Sequence, residues 1–184
     1  MELYLIRHTR VAVPKGTLYG QSDVALADTF AEEAATIRKQ LPAAWDLLYS
    51  SPLTRCKTLA DWLGSAPDFD DLLMEMSFGD WDGKLLTDLP QKEARDWGDN
   101  WLTQRTPGGE GFPDLYRRSE QFIERLAREA KGKVALVVAH SGLLRCLCLQ
   151  LHPEYSRWDK SKTFSIPLDY GGVIHIPTPN LPER

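Results

Sequence analysis

Two runs of apolar residues constrain this chain most. Leu3-Tyr4-Leu5-Ile6 and Val134-Ala135-Leu136-Val137-Val138-Ala139 show no polar alternation, and each leads to a histidine within two residues. Short continuous apolar runs of this kind read as strands buried on both faces. The first run leads into Arg7-His8, the second into His140-Ser141-Gly142. Residues just past such strands emerge at the carboxyl end of an open α/β sheet, where that architecture places its ligand sites.

Between and around these runs, strand and helix patterns alternate. Residues 2–6 read as a strand and 9–27, with Pro14, Gly16 and Gly20, as a long irregular loop. Loops of that length without structure of their own are usually functional. A helix is expected over 29–41, with Thr29 and Glu32 in the form of a capping box and Phe30, Ala34, Ile37 and Leu41 on one apolar face. Residues 46–50 read as a second strand. Ser51 and Pro52 then suit the N-cap and first position of a helix over 52–64, which places Arg55 in its first turn. Residues 65–86 read as loop, and 87–105 as short tryptophan-rich helices; together they suggest a lid-like insertion over about 65–112. A strong helix is expected over 113–131, stopped by Gly132. Strand 133–139, helix 142–151 and two short strands near 163–167 and 172–176 complete the pattern. Alternating strands and helices indicate an α/β fold with a largely parallel sheet. The Gly171-Gly172 return suggests an antiparallel edge strand. No linker or repeat divides the chain, so 1–184 reads as one domain.

Charge and cysteine usage narrow the function classes. A net charge of −4 leaves no broad basic surface for nucleic acid. A local arginine cluster remains compatible with a small anionic substrate. No apolar stretch approaches the roughly 20 residues of a membrane span, and no basic-then-apolar export segment is visible near Met1. Cys56, Cys146 and Cys148 form no CxxC pair and read as buried thiols in a reducing compartment. A cytoplasmic protein without a membrane partner is therefore expected. An edge strand leaves a homodimer open as the assembly.

The chemistry concentrates on five residues. A neutral imidazole at His8 can attack phosphorus if one ring nitrogen is free and the other donates its proton. Arg7 beside it can hold phosphate oxygens through paired N–H groups. His140 is the counterpart on the second strand, and the helix start at Ser141-Gly142 offers backbone N–H groups to an anion. Arg55 adds a second guanidinium. Such neutralisation is a major catalytic contribution to phosphoryl transfer, where charge spreads over three oxygens. A leaving alcohol also needs a proton, and Glu75 is the candidate; a carboxyl group beside a bound dianion is pushed toward its protonated form. His152 and His175 read as structural.

The motifs Leu-Ile-Arg-His at 5–8, Ser-Ser-Pro-Leu-Thr-Arg at 50–55, Glu-Met-Ser-Phe-Gly-Asp-Trp-Asp-Gly at 75–83 and Ala-His-Ser-Gly at 139–142 together resemble the histidine phosphatase superfamily, the phosphoglycerate-mutase-like group. The resemblance spans nearly the whole chain. It implies a three-layer α/β/α sandwich, His8 as the nucleophile that becomes phosphohistidine, Arg7, Arg55 and His140 as the phosphate pocket, and Glu75 as proton donor. It implies no metal and no cofactor. Glu110, in Pro-Gly-Gly-Glu-Gly, resembles a position that supports the pocket.

The chain departs from the family's commonest pattern after His8. Glycine and glutamate usually follow; here Thr9 and Arg10 stand there, and the asparagine found a few residues on has no counterpart at Val13-Pro14. Thr9 and Gln21 are the candidates to replace that phosphate ligand, and Ser141 joins them as a candidate substrate contact. Arg10 is either a charge at the pocket mouth or a solvated arginine. Mutases of the family carry an insertion between the acid and the second histidine; the segment 76–139 is too short for one. Phosphomonoester hydrolysis of a small phosphorylated metabolite is thus expected, with mutase-type transfer and non-catalytic phospho-ligand binding as alternatives. The short form, with Leu18-Tyr19-Gly20-Gln21-Ser22-Asp23, is similar to α-ribazole-5′-phosphate phosphatases of cobalamin assembly. Tyr19, Trp81, Trp97, Trp101 and Phe112 are the aromatics that could stack on a flat base.

Overall fold

Alternation within each strand divides the core into two halves, one on each side of a single sheet. In the computed structural model, which describes residues 1–64 and 66–181, the strands are β1 (Glu2–Arg7), β2 (Leu47–Ser50), β3 (Asp68–Phe69), β4 (Val134–Ala139) and β5 (Val173–Ile176), in the order β3-β2-β4-β1-β5. All pairs are parallel except β1–β5, which is antiparallel. Leu3, Leu5, Tyr49, Ala135 and Val137 point to one side, where α4 (Phe112–Glu129) and α5 (Ser141–Leu151) cover them. Tyr4, Ile6, Leu48, Leu136 and Val138 point to the other, toward α1 (Phe30–Arg38) and α2 (Thr54–Leu63). The result is a three-layer α/β/α sandwich with a mostly parallel sheet and one antiparallel edge strand. Each fully buried aliphatic side chain in these halves stabilises it by roughly 1.5–3 kcal/mol.

Register brings the two histidines together. Arg7 is level with Ala139 across the β1–β4 pair. The His8 N–H donates to the Ala139 carbonyl at 3.2 Å, so His8 and His140 leave adjacent strands side by side. α3 (Gln91–Asp99) and several 3₁₀ turns occupy the expected insertion. The insertion's first residue and the last three residues of the expected 1–184 unit lie outside the described residues.

Four expectations require correction. Thr29 and Glu32 form no capping box: the Thr29 hydroxyl donates to Glu33 instead, at 2.6 Å. α2 begins at Thr54 rather than Pro52, with Leu53 in extended conformation as its N-cap residue and the Ser51 hydroxyl shared between His140 and the Leu53 N–H. The expected strand near 163–167 is a 3₁₀ helix over Lys160–Ser165, started by the Asp159 carboxylate accepting from the Ser161 N–H at 2.8 Å. Asp68–Phe69, read as loop, pairs with β2 as a two-residue edge strand, too short to show periodicity.

Candidate active site

At the carboxyl ends of β1 and β4 lies a cavity of about 180 Å³ lined by Arg7, His8, Tyr19, Arg55, Glu75, Phe78, His140 and Ser141, among others. Its floor is the histidine pair, with ring centroids 5.3 Å apart. His8 is buried, and its Nδ1 lies 2.7 Å from the Thr9 carbonyl. A carbonyl only accepts, so Nδ1 carries the proton and Nε2 keeps its lone pair. Burial, then repulsion from Arg55 and Arg7, lowers the His8 pKa to about 3 against the opposing Thr9 bond. Burial and the same arginines, with His8, also hold His140 well below the usual imidazole range. Both rings are neutral near pH 7.

The two arginines differ. Arg7 makes one hydrogen bond, from Nη1 to the Leu168 carbonyl at 2.8 Å, and its buried Nε has no partner among the described residues. Its remaining N–H groups are available to an oxyanion. Arg55, fully buried, donates from Nη1 to Ser22 and from Nη2 to Tyr19 and Gly20 carbonyls, and from Nε to His140 Nδ1 at 3.2 Å. Four of its five N–H groups are thus engaged in shaping the 19–22 loop and fixing His140. His140 in turn donates from Nε2 to Ser51 Oγ at 2.8 Å. Sequence reasoning placed Arg55 and His140 in the pocket but did not foresee this mutual bonding, because Ser51 read as a helix cap.

Glu75 sits at the cavity's other wall. Its two carboxylate oxygens accept from the Met76 and Gly142 N–H groups, each at 2.9 Å. The α5 N-terminus thus faces the protein's own Glu75 carboxyl group, where the sequence suggested a bound anion. A Cβ at 142 would lie 2.4 Å from Glu75 Oε1, so any larger residue there displaces the Glu75 carboxyl group. The Glu75 main chain is also held. Arg118 donates to the Leu72, Met74 and Glu75 carbonyls and pairs through two nitrogens with Glu110, which itself accepts from the Ser77 N–H. Arg118 escaped the sequence reading; its one signal was a charge on the inner side of an amphipathic helix.

The remaining candidates lie elsewhere. Gln21 donates its amide to the Glu75 carbonyl at 3.1 Å and is absent from the cavity wall. Thr9 is fully buried; its carbonyl orients His8, and its hydroxyl has no partner among the described residues. Ser141 lines the cavity and its Oγ accepts from Arg145. Arg10 is exposed and pairs with Glu33 of α1 at 3.0 Å, away from the pocket wall.

A second, apolar cavity of about 230 Å³ adjoins the first and shares Glu75, Phe78 and Ser141 with it. Trp97, Trp101, Phe112 and Phe164 line it. Trp81, expected on this wall, is buried beneath Trp97 instead, with ring centroids 6.0 Å apart. Tyr19 lines the first cavity. Among the described residues no cluster of His, Cys, Asp and Glu has the form of a metal site, and no helix is long and apolar enough to cross a membrane.

The chain is similar to several known proteins. The chain is 30% identical over 169 residues to the adenosylcobalamin/alpha-ribazole phosphatase of Salmonella typhimurium, covering 86% of this chain and 84% of that one. It is 28% identical over 165 residues to a metal-independent phosphoserine phosphatase of Arabidopsis thaliana, covering 82% and 68%. The crystal structure of the alpha-ribazole phosphatase from Shigella flexneri superposes with a TM-score of 0.84 at 27% identity, over 98% of this chain and 95% of the other. The model of the histidine phosphatase superfamily (branch 1) matches residues 3–177. This chain belongs to the histidine phosphatase superfamily.

Proposed function

We propose that this phosphatase hydrolyses a small phosphomonoester through a phosphohistidine at His8, without a metal. One observation carries the reading. His8 lines a cavity shared with Arg7, Arg55, His140 and Glu75, with Nδ1 tied to Thr9 and Nε2 free. In the first step Nε2 bonds to phosphorus as the P–O bond to the leaving group breaks, and Glu75 gives its proton to the departing oxygen. The Thr9 carbonyl holds the Nδ1–H, whose positive character grows as that bond forms. In the second step a water attacks phosphorus, loses its proton to the Glu75 carboxylate and displaces His8. Arg7 carries most of the phosphoryl contact because its donors are the free ones. Arg55 supplies charge and one N–H.

The leaving group carries a flat, apolar base in this reading, as in α-ribazole 5′-phosphate. The aromatic cavity beside Glu75 suits stacking of such a group. Among the described residues that line that cavity Glu75 is the one charged side chain, and Arg145, which touches its wall at Ser141 and Phe164, is engaged by Ser141 and the Ile166 carbonyl. The three buried free thiols support a reducing, cytoplasmic setting. The test is a steady-state panel containing α-ribazole 5′-phosphate, phosphoserine, a phosphoglycerate and an aryl phosphate, with and without chelator. The highest kcat/KM is expected for α-ribazole 5′-phosphate, unchanged by chelator. A preference for phosphoserine would contradict the substrate assignment, and loss of turnover with chelator would contradict the mechanism.

A further inference from the structure

Each arginine of the phosphate cavity carries a tyrosine. The Arg7 guanidinium carbon lies 3.9 Å from the centroid of the Tyr170 ring, and that of Arg55 lies 5.2 Å from the Tyr19 ring. The two phenol oxygens are hydrogen-bonded to each other. Tyr19 belongs to the loop whose carbonyls fix Arg55, whereas Tyr170 lies 151 residues further on, in the turn before β5. That turn grips the nucleophile strand: the Gly172 carbonyl accepts from the Arg7 N–H at 3.0 Å, and the Gly171 N–H donates to the His8 carbonyl at 3.1 Å. The Tyr170 ring is 5.6 Å from His8.

We infer that Tyr19 and Tyr170 form a positioning pair that sets the orientation and spacing of the two guanidinium groups receiving the phosphoryl group. The inference rests on the phosphate-pocket reading above. Among the described residues the Arg55 guanidinium is anchored by four hydrogen bonds and the Arg7 guanidinium by one. A guanidinium with a single tether retains rotational freedom, and ordering it on binding costs affinity. An aromatic face against one side of the cation removes that freedom and excludes water, while its other donors stay open toward the cavity. The phenol–phenol bond then ties the Tyr170 ring to the loop that Arg55 already holds. Burial pushes the Tyr19 phenol up, so its hydroxyl stays protonated. Neither tyrosine needs to touch the reacting atoms, and the pair acts through the arginines.

The test is calorimetric binding of inorganic phosphate to the purified protein, with thermal melting in parallel. Tyr170→Leu removes the ring and is expected to weaken phosphate about tenfold, whereas Tyr170→Phe keeps the ring and costs about threefold. In an Arg7→Gln background, Tyr170→Leu is expected to cost less than about twofold more, because the pair acts through Arg7. Equal losses for Phe and Leu, no loss for either, or full additivity with Arg7→Gln would overturn the inference. If Tyr170→Leu fails to fold, the hydroxyl bond still decides. Tyr19→Phe, Tyr170→Phe and the double variant should then show the same about threefold loss, and additive losses would overturn the pair. A wild type that neither binds phosphate nor turns over a phosphomonoester would overturn the pocket reading. A wild type that binds phosphate beside a flat tyrosine series would overturn this inference alone.

Discussion

At the residue scale, the proposed nucleophile His8 is a neutral imidazole because its environment refuses a second proton. Burial and two neighbouring guanidinium groups disfavour imidazolium, while the Thr9 carbonyl selects the tautomer that leaves Nε2 free. Glu75 complements it, and its role makes a sharp demand. Glu75→Gln is expected to lower kcat on alkyl phosphates by about 10²–10⁴-fold, and far less on aryl phosphates, whose leaving groups need no proton. Equal loss on both, measured by steady-state kinetics, would remove Glu75 as the acid. Gln21 acts one step back, on the Glu75 carbonyl. Gln21→Ala is expected to lower kcat about three- to tenfold, the worth of one hydrogen bond, while the inhibition constant of inorganic phosphate stays put. A rise in that constant would make Gln21 a phosphate ligand after all. Arg7, His8, Arg55 and His140 were legible because each stands in a motif at a strand or helix end, and Glu75 because a motif over 75–83 marks it within a loop. The residues that hold them were not. Ser51, Arg118 and Tyr170 acquire their partners from segments far away in the chain, and local pattern carries no trace of those partners.

At the element scale, the site depends on how α5 starts. His140 is its N-cap residue and Gly142 sits in its first turn, so one strand-to-helix turn supplies both an imidazole of the pocket and an N–H for Glu75. Gly142→Ala forces a Cβ against Glu75 Oε1. It is expected to cost about 1–3 kcal/mol of stability, as overpacking does, and to lower kcat most on alkyl phosphates, the same signature as Glu75→Gln. Denaturant melts and the leaving-group series check this; a stability loss with leaving-group dependence intact would separate Gly142 from Glu75. Long elements were readable from periodicity: α4 buries Leu115, Phe122, Ile123 and Leu126 as its apolar spacing requires. Short ones were not. The 3₁₀ helix over Lys160–Ser165 takes in Thr163 and Phe164, where the expected strand would begin, and a side-chain cap at Asp159 starts it. β3 exists only because β2 offers it a partner.

At the scale of the whole molecule, the buried neutral histidines couple stability to pH. Above about pH 6.5 both rings are neutral in the folded and unfolded chains. Below it the unfolded chain takes up protons that the folded one refuses, so stability is present above that pH and is lost as pH falls toward the folded His8 value of about 3. Each such histidine contributes a slope of about 1.4 kcal/mol per pH unit in that window. His8→Asn should therefore show a shallower loss of stability between pH 6 and about pH 4 than the wild type, measured by urea unfolding; identical slopes would mean His8 protonates freely in the folded protein. The sandwich itself was legible from two apolar runs and the helices between them, because a strand buried on both faces requires helices on both sides. The central claim is that His8 becomes phosphorylated. Rapid quench of the wild type with labelled substrate tests it directly. The account predicts one labelled phosphoryl group per active site, stable to base and labile to acid, carried by the peptide containing His8 and absent from His8→Ala. Turnover without a trappable phosphoenzyme, or a label that survives in His8→Ala, would contradict it.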